Sequence, residues 1–286
     1  MHRGEGIYRP RDRVHFALSL LVVLGIAAFS LLPLYWILVT SLKVPGSEFA
    51  LPVQYWPREL SIESYRTVVG PEFRVQRAIL NSLTVSGSAM LGTLFLGGLS
   101  AYAIARFRFR YRFRSLLLIQ AAGMVPPIIV IAPTFILIRA VGLLGTLWAM
   151  ILPNMAYGIP LASLLLTAYF TSIPNSLEDA ARIDGASSVR IFWQIMIPVA
   201  APGLFSAGLI TFLASWGEFM HALTVSLGLP EVQTVPVAIL SYSQAFNLQW
   251  TWISAATVVS IVPVVLLVLL FQRSVVRGLT AGSIQG

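Results

Sequence analysis

The sequence predicts an all-α, polytopic membrane protein with six transmembrane helices, both termini cytoplasmic, and a short cytoplasmic helical segment between the fourth and fifth helices. Three observations lead there. Of 286 residues, 57% are hydrophobic and only 10% charged, where soluble globular chains carry roughly 45–50% and about 25%; the mean hydropathy of +0.82 agrees. Cutting the chain at its charges leaves uncharged stretches long enough for six helices of the roughly 20 residues that cross a bilayer. The cations are also divided unequally between the two sides that six crossings define.

A cytoplasmic tail over 1–13 leads into a first span over about 14–42, bounded by Arg13 and Lys43. Further spans are expected at about 80–105, 115–138, 145–168, 202–225 and 252–272, and a second cytoplasmic tail at 273–286. Residues 14–272 thus form one transmembrane domain, because six helices consume about 120 positions and leave only loops between them. The first span is longer than the roughly 7–15 apolar residues of a signal peptide, and no small-x-small cleavage site follows it, so it is expected to be retained.

The net charge of +8 would suggest nucleic acid in a soluble protein. Its distribution suggests topology instead. Arg3, Arg9, Arg11, Arg13, Arg106, Arg108, Arg110, Arg112, Arg114, Arg182, Arg190, Arg273 and Arg277, thirteen of the 19 cations, fall on one side, and Lys43, Arg58, Arg66, Arg74, Arg77 and Arg139 on the other. The positive-inside rule makes the first side cytoplasmic. The run Arg106–Arg114 alternates with Phe107, Phe109, Tyr111 and Phe113. As a nine-residue connection between spans it reads as an anchor, with rings at the interface and guanidinium groups on anionic lipid headgroups; no domain surrounds it to present a groove to nucleic acid.

Several chemistries are excluded. Without cysteine there is no disulfide, thiolate nucleophile or cysteine-ligated metal. No H-E-x-x-H or G-x-S-x-G occurs, and no catalytic or metal site is expected. A P-loop requires G-K-[ST], and the only lysine, Lys43, stands between Leu42 and Val44. Uphill movement by this chain would draw on a partner or an ion gradient.

Residues 170–201 are too polar to enter the membrane. Asn175 or Ser176 can cap a short helix whose first turn holds Glu178 and Asp179, where the helix dipole favours carboxylates. Ala180 and Ala181 keep that helix thin, and Gly185 suits the left-handed position that ends it. Ile191, Phe192, Ile195 and Met196 then recur at helical spacing, and Pro198 and Pro202 mark the entry to the fifth span.

Asp179-Ala180-Ala181, three residues, Gly185, nine residues and Ile195-x-Ile197-Pro198 resemble the E-A-A-x3-G-x9-I-x-L-P signature of permease subunits of ABC importers, with Asp179 for the usual Glu and Ile197 for the usual Leu. Asn81-Ser82-Leu83, Ala101-Tyr102-Ala103-Ile104-Ala105-Arg106-Phe107, Met124-Val125-Pro126, Ile183-Asp184-Gly185-Ala186, Trp216-Gly217-Glu218-Phe219 and the ending Gly278–Gly286 are similar to the carbohydrate, maltose-type (MalG-like) group of that family. Gln285 stands where the group commonly has Lys.

The resemblance implies a binding-protein-dependent sugar importer of the prokaryotic inner membrane. An extracytoplasmic sugar-binding protein would deliver solute to this chain and a second permease subunit, and two ATPase subunits holding ATP and Mg would drive alternating access. This chain would carry no cofactor of its own. It also implies that the segment Glu178–Pro198 is a coupling helix seated on an ATPase subunit, with Glu178, Asp179, Ala180, Ala181, Asp184, Gly185, Ile195 and Pro198 at the contact. Gly278, Leu279, Thr280, Ala281 and Gly282 are expected at a second ATPase contact. The outer loops Lys43–Arg77 and Ser226–Trp250 are expected beneath the binding protein.

Glu218 is the only acid within an expected span, and His221 shares its helical face three residues on. Trp216, Glu218, Phe219 and His221 are therefore candidates for lining the translocation path; a hydrogen bond between helices is the competing role. The same Glu218/His221 pair is what a proton-coupled secondary transporter would use. An intramembrane enzyme is disfavoured, since no paired acids or nucleophile-base constellation lies in the spans.

Overall fold

The computed structural model describes residues 10–71, 73, 75–242 and 249–281, and side chains at 10–14, 241 and 271–281 fall outside that description. Among the described residues the regular structure is all helical. The helices are α1 (Pro10–Ser41), α2 (Glu63–Val69), α3 (Val75–Arg106), α4 (Arg112–Gly123), α5 (Pro127–Ala140), α6 (Trp148–Ser172), α7 (Asn175–Ile183) and α8 (Ser188–Ile191). A π-helical turn (Phe192–Met196) then leads to α9 (Ile197–Val199), α10 (Ala201–Trp216), α11 (Met220–Ser226), a 3-10 turn (Pro230–Val232), α12 (Val235–Ser241) and α13 (Trp250–Ala281).

Four segments are long and apolar enough to cross a membrane: His15–Ser41, Val75–Arg106, Trp148–Ser172 and Trp250–Leu270. The expected spans at 115–138 and 202–225 are not continuous helices. In the first region α4 and α5 meet at 90°. Pro126 and Pro127 offer no N–H to continue the ladder, and each disfavours the helical conformation of the residue before it; Pro126 is accordingly extended, at ψ 128°. In the second, the helical segment Ser188–Val199 meets α10 at 78°, with Ala200 at ψ 5°, two residues before Pro202. That region breaks again after Trp216, where Gly217 closes α10 and α11 begins at Met220. At the other end of the chain α13 runs on to Ala281, through residues expected as tail.

The described residues form two compact units, one made of residues up to Val68 with Tyr242–Val259, the other of Val69–Ser241 with Ser260 onward. In the first, Ser41 Oγ and the Tyr65 hydroxyl lie 2.7 Å apart and Ser61 N donates to the Leu42 carbonyl at 2.9 Å, which ties α2 to the end of α1. Lys43 is buried, its Nζ 4.8 Å from the centre of the Trp36 ring.

In the second unit α3 packs along α6, and α10 crosses both. Helices in lipid gain little from apolar burial against one another and approach closely through small residues. Gly158 of α6 is such a point, facing two other helices at once: a Cβ there would fall 2.7 Å from Thr93 Oγ1 and 2.9 Å from Thr211 Cγ2. Thr93 Oγ1 also donates to the Met155 carbonyl at 3.0 Å, joining α3 to α6. Asn81 and Ser82 fix the approach to α12. The Asn81 amide donates to the Glu231 and Gln233 carbonyls, both at 2.9 Å, and Val235 N donates to Ser82 Oγ at 2.9 Å. Gly158→Ala should destabilise by about 1–3 kcal/mol through overpacking, seen as a lower melting temperature of the detergent-purified protein; an unchanged transition would contradict the close approach.

Candidate functional site

The end of α3, the turn after α6 and the first turn of α7 converge on one arginine. Pro174 extends the chain after Ile173 and occupies the cap position of α7, so neither Asn175 nor Ser176 caps it. Arg106, the last residue of α3, takes over these groups. Its Nη2 donates to the Ile173 carbonyl at 2.7 Å, its Nη1 to Asn175 Oδ1 at 2.5 Å, and its Nε stands 2.6 Å from Glu178 Oε1. The Arg106 and Glu178 side chains keep 6% and 4% of their exposure. The Tyr102 hydroxyl donates to Glu178 Oε2 at 3.4 Å, and Arg182 Nη2 lies 3.5 Å from the same oxygen. Arg106 is thus not the headgroup anchor that its place in the arginine run suggested: a carboxylate, a backbone carbonyl and a side-chain amide oxygen hold it in place of solvent.

This pairing divides α7 into two faces. Glu178 and Ala181 are buried, Ala181 in a core with Tyr102, Phe170, Ile191 and Phe192. Asp179, Ala180, Asp184 and Gly185 are exposed, and Ile183 keeps 86% of its surface accessible. Asp184 ends α7 and Gly185 follows at φ +78°, the left-handed conformation that glycine adopts without strain. Ser187 then accepts from Arg190 N at 3.3 Å and caps α8. Ile195 is half-buried and Pro198 exposed.

A second polar site lies at the α10–α11 break. Glu218 caps α11: its Oε1 accepts from His221 N at 2.8 Å and its Oε2 from Ala222 N at 3.0 Å. His221 Nδ1 is 4.0 Å from Glu218 Oε1, while its Nε2 is buried without a hydrogen-bond partner among the described residues, as is Ser215 Oγ. These residues line a cavity of about 200 Å³ shared with Asn154, Tyr157, Gly158 and Thr211. Of the four expected path residues, only Glu218 and His221 reach it. Trp216 stacks on Phe212, ring centres 5.7 Å apart, and Phe219 packs beside Val85, Met150 and Val225.

A family model described as "Binding-protein-dependent transport system inner membrane component" matches residues 93–281, a segment that includes α7 and the cavity. The chain belongs to that family. Among relatives of this inner membrane component, the sulfoquinovosyl glycerol transport system permease protein SmoH of Agrobacterium fabrum is 37% identical over 94% of this chain and 92% of its own. The trehalose/maltose transport system permease protein MalG of Thermococcus litoralis is 32% identical over 93% and 97%. In fold, the chain is similar to one from a bacterial ABC transporter involved in the import of the acidic polysaccharide alginate, with a TM-score of 0.75 at 24% identity, covering 93% of this chain and 98% of that one.

In this family member the sequence alone does not pair Arg106 with Glu178, nor bring Asn154, Tyr157 and Ser215 beside His221. Asn154 and Tyr157 are polar positions three apart on one apolar helix, a signal that was available. Of the expected second contact, Gly278–Ala281 are helical in α13 and Gly282 lies outside the described residues. Arg106→Ala should cost about 3–5 kcal/mol by stranding the buried Glu178 carboxylate. Arg106→Met combined with Glu178→Leu should cost less than either single change; thermal unfolding of the purified variants gives the cycle, and simple additivity would refute the coupling.

Proposed function

We propose that this chain is a permease subunit of an ATP-driven, binding-protein-dependent sugar importer, crossing the inner membrane six times with both termini in the cytoplasm. The bent pairs α4–α5 and Ser188–Trp216 would supply two of the six crossings. The relatives named for sulfoquinovosyl glycerol and for trehalose/maltose support a sugar as the solute. A second permease chain, two ATPase subunits and an extracytoplasmic sugar-binding protein complete the assembly, with ATP and Mg in the ATPase chains.

The observation that carries this reading is the two-faced α7. One face is locked to α3 by a buried ion pair; the other offers Asp179, Ala180, Ile183 and Asp184 to a partner. A short helix seated in a groove of an ATPase, and rigidly joined to a span, moves that span when the ATPase closes. A proton-coupled carrier using Glu218 and His221 has less support, because both Glu218 oxygens already hold the first turn of α11.

Purification through this chain should bring down an ATPase and a second permease, with ATP hydrolysis stimulated by the loaded binding protein. An isolated chain that catalyses uptake without any ATPase would overturn the proposal. Ala180→Arg should leave thermal stability unchanged, since the residue is exposed, and should abolish stimulated hydrolysis; full stimulation would remove α7 from the contact. At the cavity, Glu218→Gln keeps one acceptor for α11 and should lower uptake more than assembly if the cavity lines the path. Unaltered uptake would leave Glu218 as a helix cap alone.

A further inference from the structure

We propose that this chain carries a second saccharide subsite, in the unit formed by α1 and the start of α13, that takes a neutral, pyranose-sized polyol. It rests on the sugar-importer reading, which places this end of α1 at the outer face. A cavity of about 530 Å³ lies there, lined among others by Trp36, Thr40, Glu48, Phe49, Trp250 and Ser254. That volume falls within the roughly 300–1,000 Å³ of small-molecule sites.

The chemistry of the wall selects the ligand. Glu48 Oε2 and Thr40 Oγ1 are buried and have no hydrogen-bond partner among the described residues. An unsatisfied carboxylate oxygen is among the costlier groups to leave buried, so the site requires a donor. An acyl chain or other apolar occupant would leave both oxygens orphaned. An anionic solute would meet Glu48. A cation would satisfy Glu48, but one wall of the cavity is the Trp36 ring, over which the buried Lys43 ammonium already sits at 4.8 Å. A neutral polyol meets none of these objections. Its hydroxyls donate to Glu48 and Thr40, and its C–H face packs on an indole such as Trp250, which keeps 44% of its surface accessible.

Because the chain has no cysteine, one introduced thiol is unique within it. Phe49→Cys places that thiol at an accessible wall position, 72% exposed in the parent, and Thr257→Cys, on the same wall, is the second reporter. The complete importer complex in lipid nanodiscs, without its binding protein, is labelled with a membrane-impermeant maleimide. Probes are methyl α-D-glucopyranoside, methyl β-D-galactopyranoside and, as the cationic comparison, ethanolamine. At least one glycoside should slow labelling saturably and ethanolamine should not. Adding Glu48→Gln should raise the half-protecting concentration by about tenfold or more, the loss expected for a hydrogen bond to a charged acceptor. Protection by ethanolamine instead, protection unaffected by Glu48→Gln, no protection by either glycoside, or thiols that never react would each overturn the subsite. Stimulated ATP hydrolysis is measured on the same sample. If it persists while protection is absent, only the subsite falls; if no ATPase accompanies the chain, the importer reading falls first.

Discussion

The contact between Arg106 and Glu178 fixes where α7 can be. Nothing in the sequence of α7 makes it a strong helix: it is nine residues long, and isolated helices under about 12–15 residues are marginal in water. Its start is a proline with no side-chain cap. Arg106 compensates from outside, binding the carbonyl before the helix, the side chain of its first residue and the carboxylate one turn in. Burying both charges costs several kcal/mol per ion, offset only because the geometry is short and additional donors reach the carboxylate. Such a pair contributes position more than stability. It holds α7 against the end of a span in one orientation, where an apolar contact would have tolerated sliding.

That orientation has mechanical consequences. The residues after α7 fold back under it, and the wide π-turn brings Phe192 against Tyr102, ring centres 5.0 Å apart, while Trp193 stays half exposed and stacks on Phe95 of α3 at 6.4 Å. Tyr102 therefore touches both the ion pair and the aromatic core beneath it. A displacement of α7 reaches α3 through charge and through packing at once. Packed cores respond by shifting as units, not by deforming continuously. π-turns recur at functional sites because they re-aim side chains within a helix; this one places one aromatic inside and its neighbour at the surface.

How much of this was legible in the sequence depends on the scale of the signal. Apolar runs and arginine asymmetry locate helices, because both are properties of tens of residues. The spacing from Asp179 to Pro198 locates α7 and its turn, because Gly185 is required by its positive φ. Arg106 was misread because its neighbours in sequence, Arg108 to Arg114, are surface cations. Only the end of α3, meeting the start of α7 69 residues away, distinguishes it. Glu178 and Asp179 look equivalent in the sequence, yet one is 4% and the other 65% exposed at the side chain. Adjacent residues on a helix lie about 100° apart, so a pattern of acids cannot say which of two faces inward until the packing partner is known.

The broken helices carry a further consequence for how a chain this apolar can hold polar groups at all. Every interrupted helix frees backbone N–H and C=O groups that lipid cannot satisfy, so a break at membrane depth survives only where side chains re-satisfy it or where it lines a cavity. The α10–α11 break meets both conditions. Glu218 supplies acceptors to two freed N–H groups, and the same turn opens the cavity where His221 Nε2 and Ser215 Oγ have no hydrogen-bond partner among the described residues. The carboxylate is thus committed to holding the backbone, and the groups left over are an imidazole nitrogen and a hydroxyl. A cavity built this way offers hydrogen-bonding side chains that its own backbone does not use, because the one group able to answer the freed N–H groups is already spent on them.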